Sequence, residues 1–266
     1  MNIAVNGAMG RMGKRICTLI IEEFKDLHLA AALERKGHPN VGTSIGTLLG
    51  LESIGVNLVD SFEQLPGNLD VLIDFSLPES TIKAIEFASE KGISFVTGTT
   101  GMTNENKETI KTLSEKIPCV MAPNMSVGIN LLLKVLDQVA SIIGQDYDIE
   151  IVEAHHRLKK DAPSGTALKM AEVIAKRLNR DLEKVGVYTR KGIIGERSKT
   201  EIGIQTIRAG DIVGEHTALF ATPGERIEFT HKASSRDTFA RGAIRAARWT
   251  YGKQPGLYDM QDVLGL

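Results

Sequence analysis

An α/β fold built on a parallel sheet, with an α+β segment inserted into it, is what this sequence predicts. Three observations carry the expectation. Short apolar runs alternate with helical patterns through the first half; beyond about Val127 that alternation changes and ends, from Gly203, in strand-like runs with no helix between them; and a last helical pattern lies beyond those runs, free to pack back on the first half.

Apolar runs at Ile3 to Val5 and Leu29 to Leu33 flank a helical pattern from Gly10 to Phe24, with Met12, Ile16, Leu19 and Ile20 on one face. Runs at Val56 to Val59, Val71 to Phe75, Ser94 to Thr97 and Pro118 to Met121 follow, interleaved with helices from about Pro78 to Lys91 and Asn104 to Lys116. Strands separated by helices of this length imply a parallel sheet covered on both faces. A long apolar helix, Gly128 to Ile143, opens the second region and leads to a strand at Tyr147 to Ala154 and a helix at Gly165 to Leu178. Gly203 to Ala209, His216 to Ala221 and Arg226 to Lys232 are separated only by turn sequences, so the second sheet is expected to be mixed and largely antiparallel. The last helix spans about Thr238 to Thr250.

The chain has 266 residues, 42% of them hydrophobic, enough for a core that needs neither metal nor disulfide. Lys plus Arg number 32 against 33 Asp plus Glu, so no global field draws the protein to nucleic acid or anionic lipid. Cys17 and Cys119 are far apart among apolar neighbours and read as small buried hydrophobes of a reducing compartment. The N-terminus has no secretory pattern and no segment approaches roughly 18 apolar residues, so a cytoplasmic protein without membrane contact is expected.

Gly7-Ala8-Met9-Gly10-Arg11-Met12-Gly13 joins the first strand to the first helix. Glycine lets backbone approach a pyrophosphate, and a helix start offers it unpaired N–H groups and positive partial charge. Glu34 ends the second strand about 20 residues further on, where a carboxylate takes ribose hydroxyls, and Arg35 beside it suits a 2′-phosphate. Gly98-Thr99-Thr100-Gly101 and Ala122-Pro123-Asn124-Met125 follow two later strands, at the sheet edge where ligands bind. The first region is therefore read as a Rossmann-type dinucleotide-binding domain, residues 1–127 plus 237–266, and 128–236 as an inserted substrate-binding and oligomerisation domain.

Glu153-Ala-His155-His156-Arg157-Leu158-Lys159-Lys160-Asp161-Ala-Pro163-Ser164-Gly165-Thr166 concentrates imidazoles and ammonium groups ahead of a helix start. A metal would need further ligands, and His-Glu-x-x-His is absent, so no metal is expected. An anionic substrate fits: imidazole titrates near neutrality, lysine supplies compact charge, and the helix N–H groups suit a carboxylate.

That motif, with Gly-Ala-Met-Gly-Arg-Met-Gly, Gly-Thr-Thr-Gly and Ala-Pro-Asn-Met-Ser-Val-Gly, resembles the 4-hydroxy-tetrahydrodipicolinate reductase (dihydrodipicolinate reductase) family of bacterial lysine biosynthesis, and the resemblance extends to Ser234-Ser235-Arg236 and the tail Asp259 to Leu264. It implies reduction of a cyclic dicarboxylate by NADH or NADPH with loss of water, and a homotetramer assembled through the second domain. By motif position it implies His155 as acid/base residue and Lys159 as proton donor, with His156, Gly165 and Thr166 on the substrate carboxylates. Cofactor contacts carry over to Gly7, Ala8, Met9, Gly10, Arg11, Met12, Glu34, Gly98, Thr99, Thr100, Ala122, Pro123, Asn124 and Met125, with Arg35 for NADP. Ser76-Leu77-Pro78 stands where many members carry Thr-Arg-Pro, which removes one arginine from the cofactor and favours NADH. Two other readings stay open on the residues alone. One is an aspartate or homoserine dehydrogenase of the same two-domain plan; the other is a cofactor-sensing binding protein, against which the paired His155 and Lys159 speak, since binding needs no proton donor.

Overall fold

The computed structural model describes residues 1–266. In chain order the elements are β1 (Asn2–Asn6), α1 (Arg11–Glu22), β2 (His28–Leu33), α2 (Ile45–Leu48), β3 (Leu58–Val59), β4 (Val71–Asp74), α3 (Pro78–Lys91), β5 (Ser94–Thr97), α4 (Asn104–Ser114) and β6 (Pro118–Met121). Then come α5 (Val127–Ile143), β7 (Asp148–His155), α6 (Gly165–Arg177), α7 (Leu182–Val185), β8 (Gly186–Val187), β9 (Ile202–Arg208), β10 (Gly214–Thr222) and β11 (Glu225–Ala233), and last α8 (Asp237–Thr250), β12 (Gly256–Tyr258) and α9 (Met260–Leu264). Two compact units result: Met1–Val127 with Arg236–Gly265, and Gly128–Ser235 with Leu266.

The first unit is a seven-stranded parallel sheet in the order β12-β6-β5-β4-β1-β2-β3. Its strands are apolar on both faces because both faces are covered. Ile3, Val5, Val71, Ile73, Val96 and Val120 pack beneath α1 and α8, while Ala4, Leu72, Phe95 and Cys119 pack beneath α3 and α4. Helix α8 is integral to this unit: Ala240, Ala243, Ile244 and Ala247 are buried in its core, and Arg15 of α1 pairs with Asp237 at 2.6 Å. Chain order runs outward in opposite directions from the neighbours β1 and β4, so the C-terminal ends of those two strands form the switch point at which such sheets bind ligands.

The second unit holds a five-stranded sheet ordered β11-β10-β7-β9-β8. It corrects the antiparallel expectation in part: β10 is antiparallel to both β7 and β11, but β7, β9 and β8 run parallel. Helix α6 lies between β7 and β9 in sequence and supplies the crossover that parallel pairing demands. Ile149, Ile151, Ile202, Ile204, Ala218 and Phe220 face α5 and α6 and are fully buried. Apolar character at Ala218 and Phe220 therefore serves this unit's own core. On the opposite face Val152 and Leu219 are partly buried and Ile207 is 47% exposed.

Elements absent from the sequence reading are the short ones, α2, α7, α9, β8 and β12, each too brief to show a period. No helix is long and apolar enough to cross a membrane.

Candidate active site

At the switch point of the first unit the residues after β1 turn sharply. Gly7 takes φ +76°, a left-handed conformation open to glycine, and a Cβ on Gly13 would overlap the Gly7 carbonyl oxygen, so α1 begins pressed against the turn. Gly10 precedes α1 with no side-chain cap, and the first turn of α1 carries no acidic residue. The backbone N–H of Met9 donates to the Glu34 carboxylate at 3.1 Å, and that of Arg35 at 3.0 Å, which fixes Glu34 over the turn. A tight glycine turn, an uncapped helix start and an anchored carboxylate at the end of β2 fit a dinucleotide: the helix start suits its pyrophosphate and Glu34 its adenosine ribose.

Beside that turn Asp74, fully buried at the end of β4, accepts five hydrogen bonds: from Asn6 Nδ2 (2.7 Å), Ser76 Oγ (2.6 Å), Thr81 Oγ1 (2.6 Å), Thr97 Oγ1 (2.9 Å) and Thr99 Oγ1 (2.8 Å). One carboxylate thus ties together the ends of β1, β4 and β5 and the start of α3. Gly98 packs on the Phe75 ring, where no side chain would fit, and the Ala122 N–H continues the ladder to Thr97 at 3.1 Å. The segments 7–12, 98–100 and 122–125 consequently lie along one edge of one sheet.

In the second unit, side-chain alternation builds the site. Register pairs Glu153 with His216 and with Thr206, and His155 with Arg208, so these five side chains share the sheet face that carries Ile149 and Ile151 further along. They form the polar end of an otherwise apolar layer. His155 Nδ1 lies 2.6 Å from Glu153 Oε2; Arg208 donates to both Glu153 oxygens at 2.8 Å; the Ser164 N–H adds 3.0 Å and Thr206 Oγ1 3.2 Å. Ser164 caps α6, accepting from the Ala167 N–H at 3.2 Å, and its Oγ lies 3.0 Å from His216 Nε2. The first turn of α6 has no acidic residue, and open space surrounds Gly165. Lys159 Nζ reaches the Asp161 carboxylate at 2.8 and 3.0 Å.

Electrostatics follows from that packing. Burial pushes Glu153 up, but hydrogen bonds from Arg208, His155 and the Ser164 N–H outweigh it and hold the carboxylate at about 2. Desolvation lowers His155 against the pull of Glu153, and the charges of Lys159 and Arg208 act in the same downward direction. The imidazole is thereby biased towards its neutral form in the free protein. His216 is driven to about 3, by burial first and by the neighbouring His155 second.

Comparison with known proteins agrees with both halves. The family model for the N-terminal domain of dihydrodipicolinate reductase matches residues 1–125 and that for the C-terminal domain matches residues 128–264. This chain belongs to the dihydrodipicolinate reductase family. It is 52% identical to the 4-hydroxy-tetrahydrodipicolinate reductase of Syntrophus aciditrophicus, over 98% of this chain and 97% of that one, and 53% identical to that of Citrifermentans bemidjiense, over 100% and 99%. A dipicolinate-bound dihydrodipicolinate reductase from Paenisporosarcina sp. TG-14 superposes with TM-score 0.76 at 25% identity, over 98% of each chain. An amine dehydrogenase from Mycobacterium smegmatis, with TM-score 0.60 and 12% identity over 97% of this chain and 94% of that one, shares the fold alone. The amino-acid dehydrogenase reading is not favoured. As a reductase of this family the chain is an oxidoreductase that uses NADH or NADPH.

The reductase's expected site residues fall into two groups. Gly7 to Met12, Glu34, Arg35, Gly98 to Thr100 and Ala122 to Met125 belong to the first unit, and His155, His156, Lys159, Gly165 and Thr166 to the second. Arg35 is exposed, and so is Leu77. Reading the sequence alone missed Asp74, Thr206, Arg208 and His216 and gave Glu153 no role. Asp74 was visible as an acid closing the apolar run Val71 to Ile73; Arg208 lies 55 residues from Glu153, and no local pattern connects them.

Proposed function

We propose that His155 and Lys159 carry the proton chemistry of this enzyme, an NAD(P)H-dependent oxidoreductase that reduces 4-hydroxy-tetrahydrodipicolinate to tetrahydrodipicolinate with loss of water, on the diaminopimelate route to lysine. The observation that carries the assignment is that His155 and the start of α6 meet at the polar end of one sheet layer, with the Lys159 charge near enough to act on His155.

The first unit is the dinucleotide-binding domain: Gly7, Ala8, Met9, Gly10, Arg11 and Met12 receive the pyrophosphate, Glu34 the ribose, and Arg35 the 2′-phosphate when it is present. Gly98, Thr99 and Thr100 with Ala122, Pro123, Asn124 and Met125 border the nicotinamide end. NADH or NADPH held by these residues would supply the hydride needed at ring C4 of the substrate. The second unit holds the dicarboxylate, whose charges meet His156, Lys159 and the backbone of Gly165 and Thr166 at the helix start.

Loss of water needs a base for a proton on C3 and an acid for the departing 4-hydroxyl. His155, neutral before substrate arrives, takes the C3 proton, and Lys159 protonates the hydroxyl as it leaves. Once C4 has accepted the hydride, the His155 imidazolium returns its proton to C3 and Lys159 recovers a proton from solvent. The sum is one hydride and one proton in and one water out. The enzyme works in the cytoplasm, in keeping with two buried unpaired cysteines, and as a homotetramer joined through the face of the second sheet that carries Val152, Ile207 and Leu219.

Freshly generated 4-hydroxy-tetrahydrodipicolinate added to the protein and NADH tests the reading. Loss of nicotinamide absorbance in step with substrate is the expected result, and no loss above the rate without protein rules the activity out.

A further inference from the structure

The buried end of the second sheet holds more than a histidine and a lysine. We infer that Glu153, clamped by Arg208, is a positioning residue that fixes the His155 proton on Nδ1 and leaves Nε2 as the atom that exchanges protons with substrate. The inference rests on the reading of His155 as the acid/base group.

Three observations carry it. Glu153 is fully buried and accepts from two guanidinium N–H groups, one backbone N–H and one hydroxyl, with the His155 imidazole at 2.6 Å. An ionised carboxylate only accepts, so the nitrogen facing it is the one that carries hydrogen. The second observation is Gly214. Its backbone does not lie in the left-handed region, so nothing in its conformation calls for glycine, yet a Cβ there would stand 3.1 Å from His155 Nε2 and 3.5 Å from Cδ2. Glycine keeps room at the nitrogen that Glu153 leaves unprotonated. The third is the reach of Arg208. Besides Glu153 it donates to the Asp161 carbonyl at 2.7 Å, and Asp161 holds Lys159 through its carboxylate. One buried ion pair thus sets the orientation of the imidazole and anchors the turn that carries the ammonium group. His216 braces the opposite side, its ring edge-on to His155 at 5.1 Å between centroids and 74° between planes.

A structural role alone, closing β7 onto β9 through a buried ion pair, accounts for Arg208 but not for the space kept at Nε2. Proton chemistry separates the two. In Glu153→Gln the negative charge that favours the imidazolium is gone, so the limb of the kcat–pH profile belonging to His155 moves to lower pH, and kcat falls on the order of 10²-fold. KM for the dicarboxylate and binding of NADH stay near wild type. Gly214→Ala crowds Nε2 without touching the carboxylate and lowers kcat with no shift of that limb. If Glu153→Gln does not fold, ¹⁵N spectra of the wild-type His155 ring decide: protonated Nδ1 and bare Nε2 above the imidazole pKa are expected, and the reverse tautomer overturns the inference. An unmoved limb in a folded Glu153→Gln overturns it as well, provided His155→Ala has lost activity. Wild-type kcat in His155→Ala overturns the acid/base assignment itself, and this inference with it.

Discussion

At the scale of single residues, burial sets the protonation of two histidines in the second unit, His155 and His216. His155 sits below its usual value, as the proposed proton acceptor requires; Lys159 is paired with a carboxylate two residues away. His155→Ala should lower kcat by about 10² to 10⁴-fold and remove the near-neutral limb of the pH profile, whereas His156→Ala should act chiefly on KM, as steady-state kinetics across pH 6 to 9 will read. His216 makes a stability prediction. Its folded value of about 3 lies below the ordinary histidine value, so as pH falls from 6.5 the unfolded chain takes up a proton that the folded protein refuses. Stability is intact above pH 6.5 and declines from there towards pH 3 by roughly 3 to 5 kcal/mol, with Glu153 adding a further loss between 4.5 and about 2. Urea unfolding of His216→Gln should show the decline above pH 4.5 flattened; an unchanged slope would mean that other groups cause it. In the first unit, Arg35→Ala should weaken NADPH and spare NADH, since only the former carries a phosphate for the guanidinium, and equal losses in KM for the two would remove that role. The motif residues were legible because they are contiguous, but their protonation states were not, since these depend on Arg208 and on depth of burial.

At the scale of elements, the ends of strands matter more than their middles. Asp74 closes β4 and receives donors from the ends of β1 and β5 and the start of α3, so a polar change there reaches the glycine turn after β1 and the segment after β5 that border the proposed dinucleotide. Asp74→Asn sets an amide N–H₂ against hydroxyl donors, and should cost about 1 to 3 kcal/mol in chemical unfolding while weakening NADH binding. A variant that binds NADH as wild type does would limit Asp74 to the core. Long elements with clear periods, such as α1, α3 and β4 to β6, were legible to within a residue or two. The short β8 and β12 were not, and the parallel pairing of β7 with β9 was hidden because α6, the crossover between them, also reads as the helix after the histidine motif. Period says which way side chains point but not which strand is the neighbour.

At the scale of the whole molecule, the second sheet has one face buried by its own helices and one face carrying Val152, Ile207 and Leu219. Sedimentation equilibrium should return a tetramer at micromolar concentration, and Leu219→Glu should shift it towards smaller species; a wild-type monomer would end the assembly proposal. The division of the chain was legible because the grammar of the sequence changes near Val127, but the return of α8 into the first core was visible only as a possibility, since an amphipathic helix does not name its partner. That return bears on how the protein is made. Ala240, Ala243, Ile244 and Ala247 leave the ribosome more than a hundred residues after β6, so until then the sheet of the first unit has one apolar face only partly covered by α1. The inserted unit is continuous in sequence and can close on itself during that interval. Synthesis order and completion order are thus reversed: the half begun first is finished last, and a nascent chain stalled before residue 237 presents to chaperones the apolar sheet face, with Ile73, Val96 and Val120, that α8 would cover.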